Sequence, residues 1–118
     1  MGKFQEDFIS DQGVKKNIAG REFLLRELNG SETDKIMTKC IKVTEDENMV
    51  VDLALRNENL YKTIVVDAPY EKDGKPFRQL TPDERYGILI RLKGNIRKDL
   101  LNEMLMLNGM GKEDTQKK

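Results

Sequence analysis

The sequence predicts a mainly α fold with a small N-terminal β element, an α+β arrangement of four to five helices in a single domain. Three observations predict it. Two helix starts carry capping signatures, Ser31 with Asp34 and Thr81 with Glu84. Apolar residues recur at helical spacing across residues 49–64 and again from Tyr86 to Leu107. One short apolar run, residues 22–27, is bounded by turn signals and patterned as a strand.

In chain order, Phe4, Phe8 and Ile9 repeat at helical spacing, enough for one or two amphipathic turns. Terminal fraying makes residues 1–13 a flexible N-terminal segment, with a helix-rich domain expected over residues 14–109. Val14, Ile18, Phe23, Leu24, Leu25 and Leu28 then follow around an Ala19-Gly20 bend, so the strand at 22–27 is expected to pair with 15–18 as a hairpin. Asn29-Gly30 ends that element. Ser31 and Asp34 are expected to cap a helix from residue 32 to 41, whose Ile36, Met37, Cys40 and Ile41 share one face.

Residues 44–48 form an acidic, polar linker, in which Asp46 or Thr44 is placed to cap the next element. Met49, Val50, Leu53, Ala54, Leu60, Tyr61 and Ile64 follow helical periodicity over about four turns, which predicts a core helix. The polar stretch Arg56-Asn57-Glu58-Asn59 keeps a strand–turn–helix reading of 49–64 open. The β-branched run Ile64-Val65-Val66 leads to Ala68-Pro69, where the proline excludes helical geometry from its predecessor. Residues 70–79 read as a loop with an Asp73-Gly74 turn and Phe77 as a plug into the core.

The strongest signal is C-terminal. Thr81 is an N-cap, Pro82 fits the first helical position, and Glu84 closes the capping box. The stripe through Tyr86, Ile88, Leu89, Ile90 and Leu92 is interrupted at Lys93-Gly94-Asn95, read as a corner between two helices, with one continuous helix as the other option. It resumes at Ile96, Leu100, Leu101, Met104, Leu105 and Leu107 and stops at Asn108-Gly109. Residues 110–118 lack apolar periodicity and are expected to be a disordered tail.

Composition narrows the function. Lys and Arg number 21, as do Asp and Glu, so no global field draws in a polyanion, and nucleic acid is not an expected partner. One cysteine and no histidine leave no internal disulfide and no imidazole or paired-thiolate metal site, which fits a reducing cytoplasm. The apolar runs fall short of the ~20 residues that span a bilayer, so no membrane association is expected. The N-terminus lacks the apolar stretch of a signal peptide, and Glu6 occupies the place where a myristoylation signal needs Ser or Thr.

Catalysis needs a positioned nucleophile or acid–base pair. There is no His base for Cys40, no Ser in a recognised setting and no phosphate-cradling glycine loop, so no enzyme and no cofactor or metal is expected. Asp52, Asp67, Asp73 and Asp83 lack calcium-loop spacing and read as surface carboxylates. The C-terminal helix pair has the outline of a helix-turn-helix, which makes a small DNA-binding or adaptor protein the alternative function. Its second helix, however, balances Arg97 and Lys98 against Asp99 and Glu103. Met104, Met106 and Met110 crowd three of six methionines into seven residues, suited either to core filling or to an adaptable partner surface. With Ile96, Leu100, Met104 and Leu107 turned inward, Leu101, Leu105, Met106 and Met110 are the expected partner-binding residues, receiving an amphipathic helix.

In sequence order there is an early strand ending REFLLREL, a capped helix beginning SETDKI and a long helix closing on VVDAP. A loop, LTPDERYGILIRL, a glycine break and a leucine-rich helix ending LNGM follow. This layout, over residues 18–110, resembles the small tail assembly chaperones of long-tailed bacteriophages and related prophages of Gram-positive bacteria. The resemblance implies a non-enzymatic protein, expected in the bacterial host cytoplasm; self-association into a homo-oligomer is expected through the exposed apolar surface of the C-terminal helix pair. It would keep the apolar, helical tape measure protein soluble while the tail-tube protein polymerises around it.

Overall fold

Ala19 and Gly20, at φ 54° and 82°, close a two-residue turn whose two left-handed positions match the twist of the strands it joins. In the computed structural model, which describes residue 9 and residues 12–110, this turn links β1 (Val14–Ile18) to β2 (Arg21–Leu25) in antiparallel register. Asn17 Oδ1 accepts a hydrogen bond from the Gly20 amide at 3.1 Å and braces the turn. The hairpin expected from the sequence is present, two residues shorter at its end. β5 (Val65–Asp67) adds antiparallel to β2, with a bulge at Leu24/Leu25, to complete a three-stranded sheet ordered β1-β2-β5.

α1 (Gly30–Cys40) starts two residues earlier than expected, because Asn29 rather than Ser31 is its cap. The Asn29 side chain accepts from the Glu32 amide at 2.9 Å and the Glu32 carboxylate accepts from the Asn29 amide at 3.0 Å. The guanidinium of Arg26 grips the same carboxylate at 2.7 Å and ties the helix start to the end of β2.

A mainly α fold with β structure confined to the N-terminus does not describe this chain. Three small antiparallel sheets are spread along it, and strands make up 23% of the described residues against 48% helical. Residues 49–64 are not one helix. β3 (Ile41–Val43) and β4 (Met49–Val51) pair as a hairpin around residues 44–48, and α2 (Leu53–Ile64) begins only after Asp52 caps it. Thr44 braces that hairpin turn through Asn48 and caps no helix. The apolar spacing of Met49, Val50, Leu53 and Ala54 satisfies a helix equally well. The β-branched pair Val50-Val51 suits the extended backbone found there, and Asp52, a residue able to cap, follows it.

The loop expected at 70–79 holds the third sheet. β6 (Glu71–Lys72) and β7 (Lys75–Pro76) turn at Asp73 and Gly74, at φ 53° and 82°, and a 3₁₀ turn (Phe77–Gln79) follows. Phe77 is fully buried, the plug expected of it.

α3 (Pro82–Leu89) carries the Thr81–Glu84 capping box, with both reciprocal hydrogen bonds made at 3.0 and 3.1 Å. The corner falls at residues 90–93, so Gly94 opens α4 (Gly94–Leu107) rather than breaking it. At its far end Asn108 and left-handed Gly109 make a paired stop: the Gly109 amide reaches Met106 O at 3.1 Å and the Met110 amide reaches Leu105 O at 2.7 Å. Among the described residues there are thus four α-helices around one core, with Phe23, Leu25, Leu60, Ile64, Leu89 and Leu100 at its centre. The amphipathic turns expected at Phe4 and Phe8, and all but residue 110 of the expected tail, lie outside the described residues.

Candidate functional site

Titratable side chains meet at several points on the surface, in arrangements that fasten elements together. Lys62 bridges Glu58 at 2.8 Å and Asp83 at 2.9 Å, with its ammonium 5.7 Å from the centre of the Tyr86 ring, which locks α2 to α3. Hydrogen bonding to those two carboxylates holds its pKa above the usual lysine value. Arg78 pairs with Asp67 at 3.1 Å beside Lys15 and Glu22, around a recess of about 190 Å³. No group of three or more His, Cys, Asp or Glu among the described residues is placed to hold a metal ion. Cys40 is fully buried, and burial, reinforced by the charge of Asp52, pushes its thiol up, so it stays protonated near neutral pH.

The four residues expected to receive a partner are separated by the packing of α4. Leu105 is only 9% exposed and belongs to the core with Ile96, Leu100 and Met104. Leu101 and Met110 lie partly buried against that core, as does Leu107. Met106 alone of the four is half exposed, at 51%. Of the four, Leu105 is thus the one drawn into the core and Met106 the one most open to solvent. In the helix-turn-helix outline, α4 is likewise engaged: Glu103 pairs with Lys16 of β1 at 3.7 Å, and the Arg97 guanidinium caps Leu92 O at 2.8 Å.

A continuous apolar surface lies on the β3–β4 hairpin. All six strand residues are exposed, and only Lys42 among them is polar. Because Ile41 sits opposite Val51 and Val43 opposite Met49, these four side chains share one face of the ribbon. Val43 and Met49 are each 68% exposed, and Leu53, just beyond the ribbon, is also exposed. Scattered apolar residues on a surface are ordinary, but five gathered on one hairpin make it the candidate interaction surface.

The base of the ribbon is anchored, which makes it an arm rather than a loose loop. Asp52 accepts from Lys42 Nζ at 2.9 Å through one oxygen and from the Leu55 amide at 3.1 Å through the other. The Lys42 ammonium, then the Leu55 amide, hold the Asp52 carboxyl below the usual carboxylate range. One side chain therefore caps α2 and fixes the hairpin to it. The Asp52 amide also donates to Cys40 O at 2.7 Å, continuing the ladder into the end of α1. Sequence reasoning missed this arm. The signal was present in two apolar, mostly β-branched triplets, Ile41-Lys42-Val43 and Met49-Val50-Val51, flanking a turn-forming polar stretch.

Comparison of the chain with protein-family models, with curated proteins and with solved structures gives no match. The candidate site therefore rests on its own geometry. No helix among the described residues is long and apolar enough to cross a membrane.

Proposed function

We propose that this chain is a non-catalytic binding protein, a phage tail assembly chaperone that keeps the tape measure protein soluble and helps recruit the tail-tube protein. The observation that carries the reading is the apolar face of the β3–β4 arm, formed by Ile41, Val43, Met49 and Val51 and held out from the core. Full burial of such a side chain contributes roughly 1.5–3 kcal/mol. Since these are already partly covered, a client gains less from each, and several arms along one long apolar client are needed to hold it. The sequence resemblance supplies the identity of the client, and a homo-oligomeric state and the bacterial cytoplasm as the place of action are proposed with it.

Co-expression with the products of neighbouring genes tests this reading. The expected result is a soluble complex with a long, apolar, helical protein that is insoluble alone. Changing Val43→Lys together with Met49→Glu, which sets opposite charges across from one another in the hairpin, is expected to abolish capture while the circular dichroism spectrum is kept, because both side chains already face solvent. Capture that survives both changes counts against the arm. A tight, salt-sensitive complex with duplex DNA and no protein client would replace this function with the DNA-binding one.

A further inference from the structure

The two long edges of the arm are unlike. Lys42 lies on β3, and an edge lysine is a common device that discourages strand pairing. β4 carries Met49, Val50 and Val51 with no charge and no proline. Backbone bonds from the Thr44 amide to Asn48 O at 2.8 Å and from the Asp52 amide to Cys40 O at 2.7 Å set the phase of the ladder. Residues 42 and 50 exchange their bonds across the hairpin, so the N–H and C=O groups of Met49 and Val51 point outward. Neither residue has a hydrogen-bond partner along that edge among the described residues.

Charge then distinguishes the two ends of this edge. At the turn, Glu45, Asp46 and Glu47 are all exposed, and none is ion-paired with a described residue. At the base, Lys42 and Asp52 neutralise one another. The geometry points to the outer edge of β4 as the docking site for an extended segment of the client that lies outside its helices, added as a third strand with lysine or arginine beside residues 45–47. Its residues opposite Met49 and Val51 are apolar and two apart, so they continue the face of Ile41, Val43, Met49 and Val51. This rests on the arm being the client-binding element. A second copy of the chain fits the edge less well. Two-fold pairing of β4 with itself about Val50 sets Glu47 of each copy opposite Leu53 of the other and brings it no lysine or arginine.

The test uses the full chain and two synthetic peptides, Lys-Lys-Val-Thr-Val-Thr-Val-Lys-Lys and the same peptide with Glu in place of every Lys. The basic peptide is expected to slow hydrogen exchange of the Met49 and Val51 amides by about tenfold at saturation. The acidic peptide, or the basic peptide on a Glu45→Gln/Glu47→Gln variant, is expected to bind at least about fivefold more weakly. Val51→Pro removes an outward donor without removing a bond between β3 and β4, and is expected to abolish peptide binding with the core resonances unchanged. Protection elsewhere, equal binding of the two peptides, or a concentration-dependent dimer broken by Val51→Pro overturns the inference. If Val51→Pro still captures the co-expressed client and Val43→Lys/Met49→Glu does not, the edge inference fails and the arm's function stands. If both variants capture it, the proposed role of the arm fails as well.

Discussion

At the scale of single residues, the hairpins show how side-chain choice departs from the backbone's preference. Ala19 occupies a left-handed position at φ 54° in a turn type that favours Asn-Gly. Asn tolerates that region better than Ala, because its side chain hydrogen-bonds locally. Ala19→Asn is therefore expected to raise stability by about 0.5–1 kcal/mol, read as a higher urea midpoint at unchanged slope. Three carboxylates carry the acid response. Glu32 is held low by Arg26 and then by the Asn29 amide, Asp52 by Lys42 and then the Leu55 amide, and Glu84 by the Thr81 amide. Each folded pKa lies below its unfolded value, so their stabilisation is complete above the ordinary values of 4.5 for Glu and 3.8 for Asp. It is lost as pH falls through the lowered values. Urea midpoints are expected to respond little to these groups between neutral pH and about 5, and to drop progressively below about 4.5. A midpoint that rises on acidification below that point contradicts the three contacts.

At the scale of elements, helix ends make long-range connections as well as local ones. Asn108 closes α4 through its side-chain amide, which donates to Met104 O at 3.1 Å. Its other end accepts from the Leu28 amide at 2.7 Å, across eighty positions of sequence. One residue thus stops the last helix and fastens it to the strand-to-helix connection between β2 and α1. Asn108→Ala leaves the part-buried Leu28 amide without that acceptor, at an expected cost of about 1–3 kcal/mol. Asn108→Asp keeps the acceptor and is expected to recover most of the loss at neutral pH. Equal destabilisation by both changes places the effect in the helix stop alone.

For the whole molecule, the core and the arm are expected to be separate in energy. Leu100 is fully buried on α4, and Leu100→Ala is expected to cost about 2–5 kcal/mol. Val43→Thr with Met49→Thr alters two side chains that already face water and keeps or raises β propensity. Its expected effect on the urea midpoint corresponds to less than about 0.5 kcal/mol. If the arm pair destabilises as much as Leu100→Ala, the ribbon is part of the cooperative core and not a free binding element.

Much of this architecture was legible because it is local. Thr81, Pro82 and Glu84 start a helix through contacts within four residues, Asn108-Gly109 ends one the same way, and Ala19-Gly20 and Asp73-Gly74 turn the chain wherever they stand. The fully buried Phe77 was legible too, since a large side chain with no polar atom in a polar stretch has few other places to go. The sequence could not decide between helix and hairpin at residues 41–51, because Met49, Val50, Leu53 and Ala54 satisfy the helical period and the β-branched pattern together. Nor could it say which side of α4 faces out: Leu101 and Leu105 lie on a stripe broad enough to be buried or exposed according to what packs against it. Only tertiary structure made those choices. α4 lies on β1 and α2 and draws Leu105 into the core, while β3 and β4 pair with each other and leave Val43 and Met49 to the solvent. Local hydrogen bonds depend on neighbours in sequence, whereas the exposure of an apolar face depends on distant surfaces that no short stretch of chain contains.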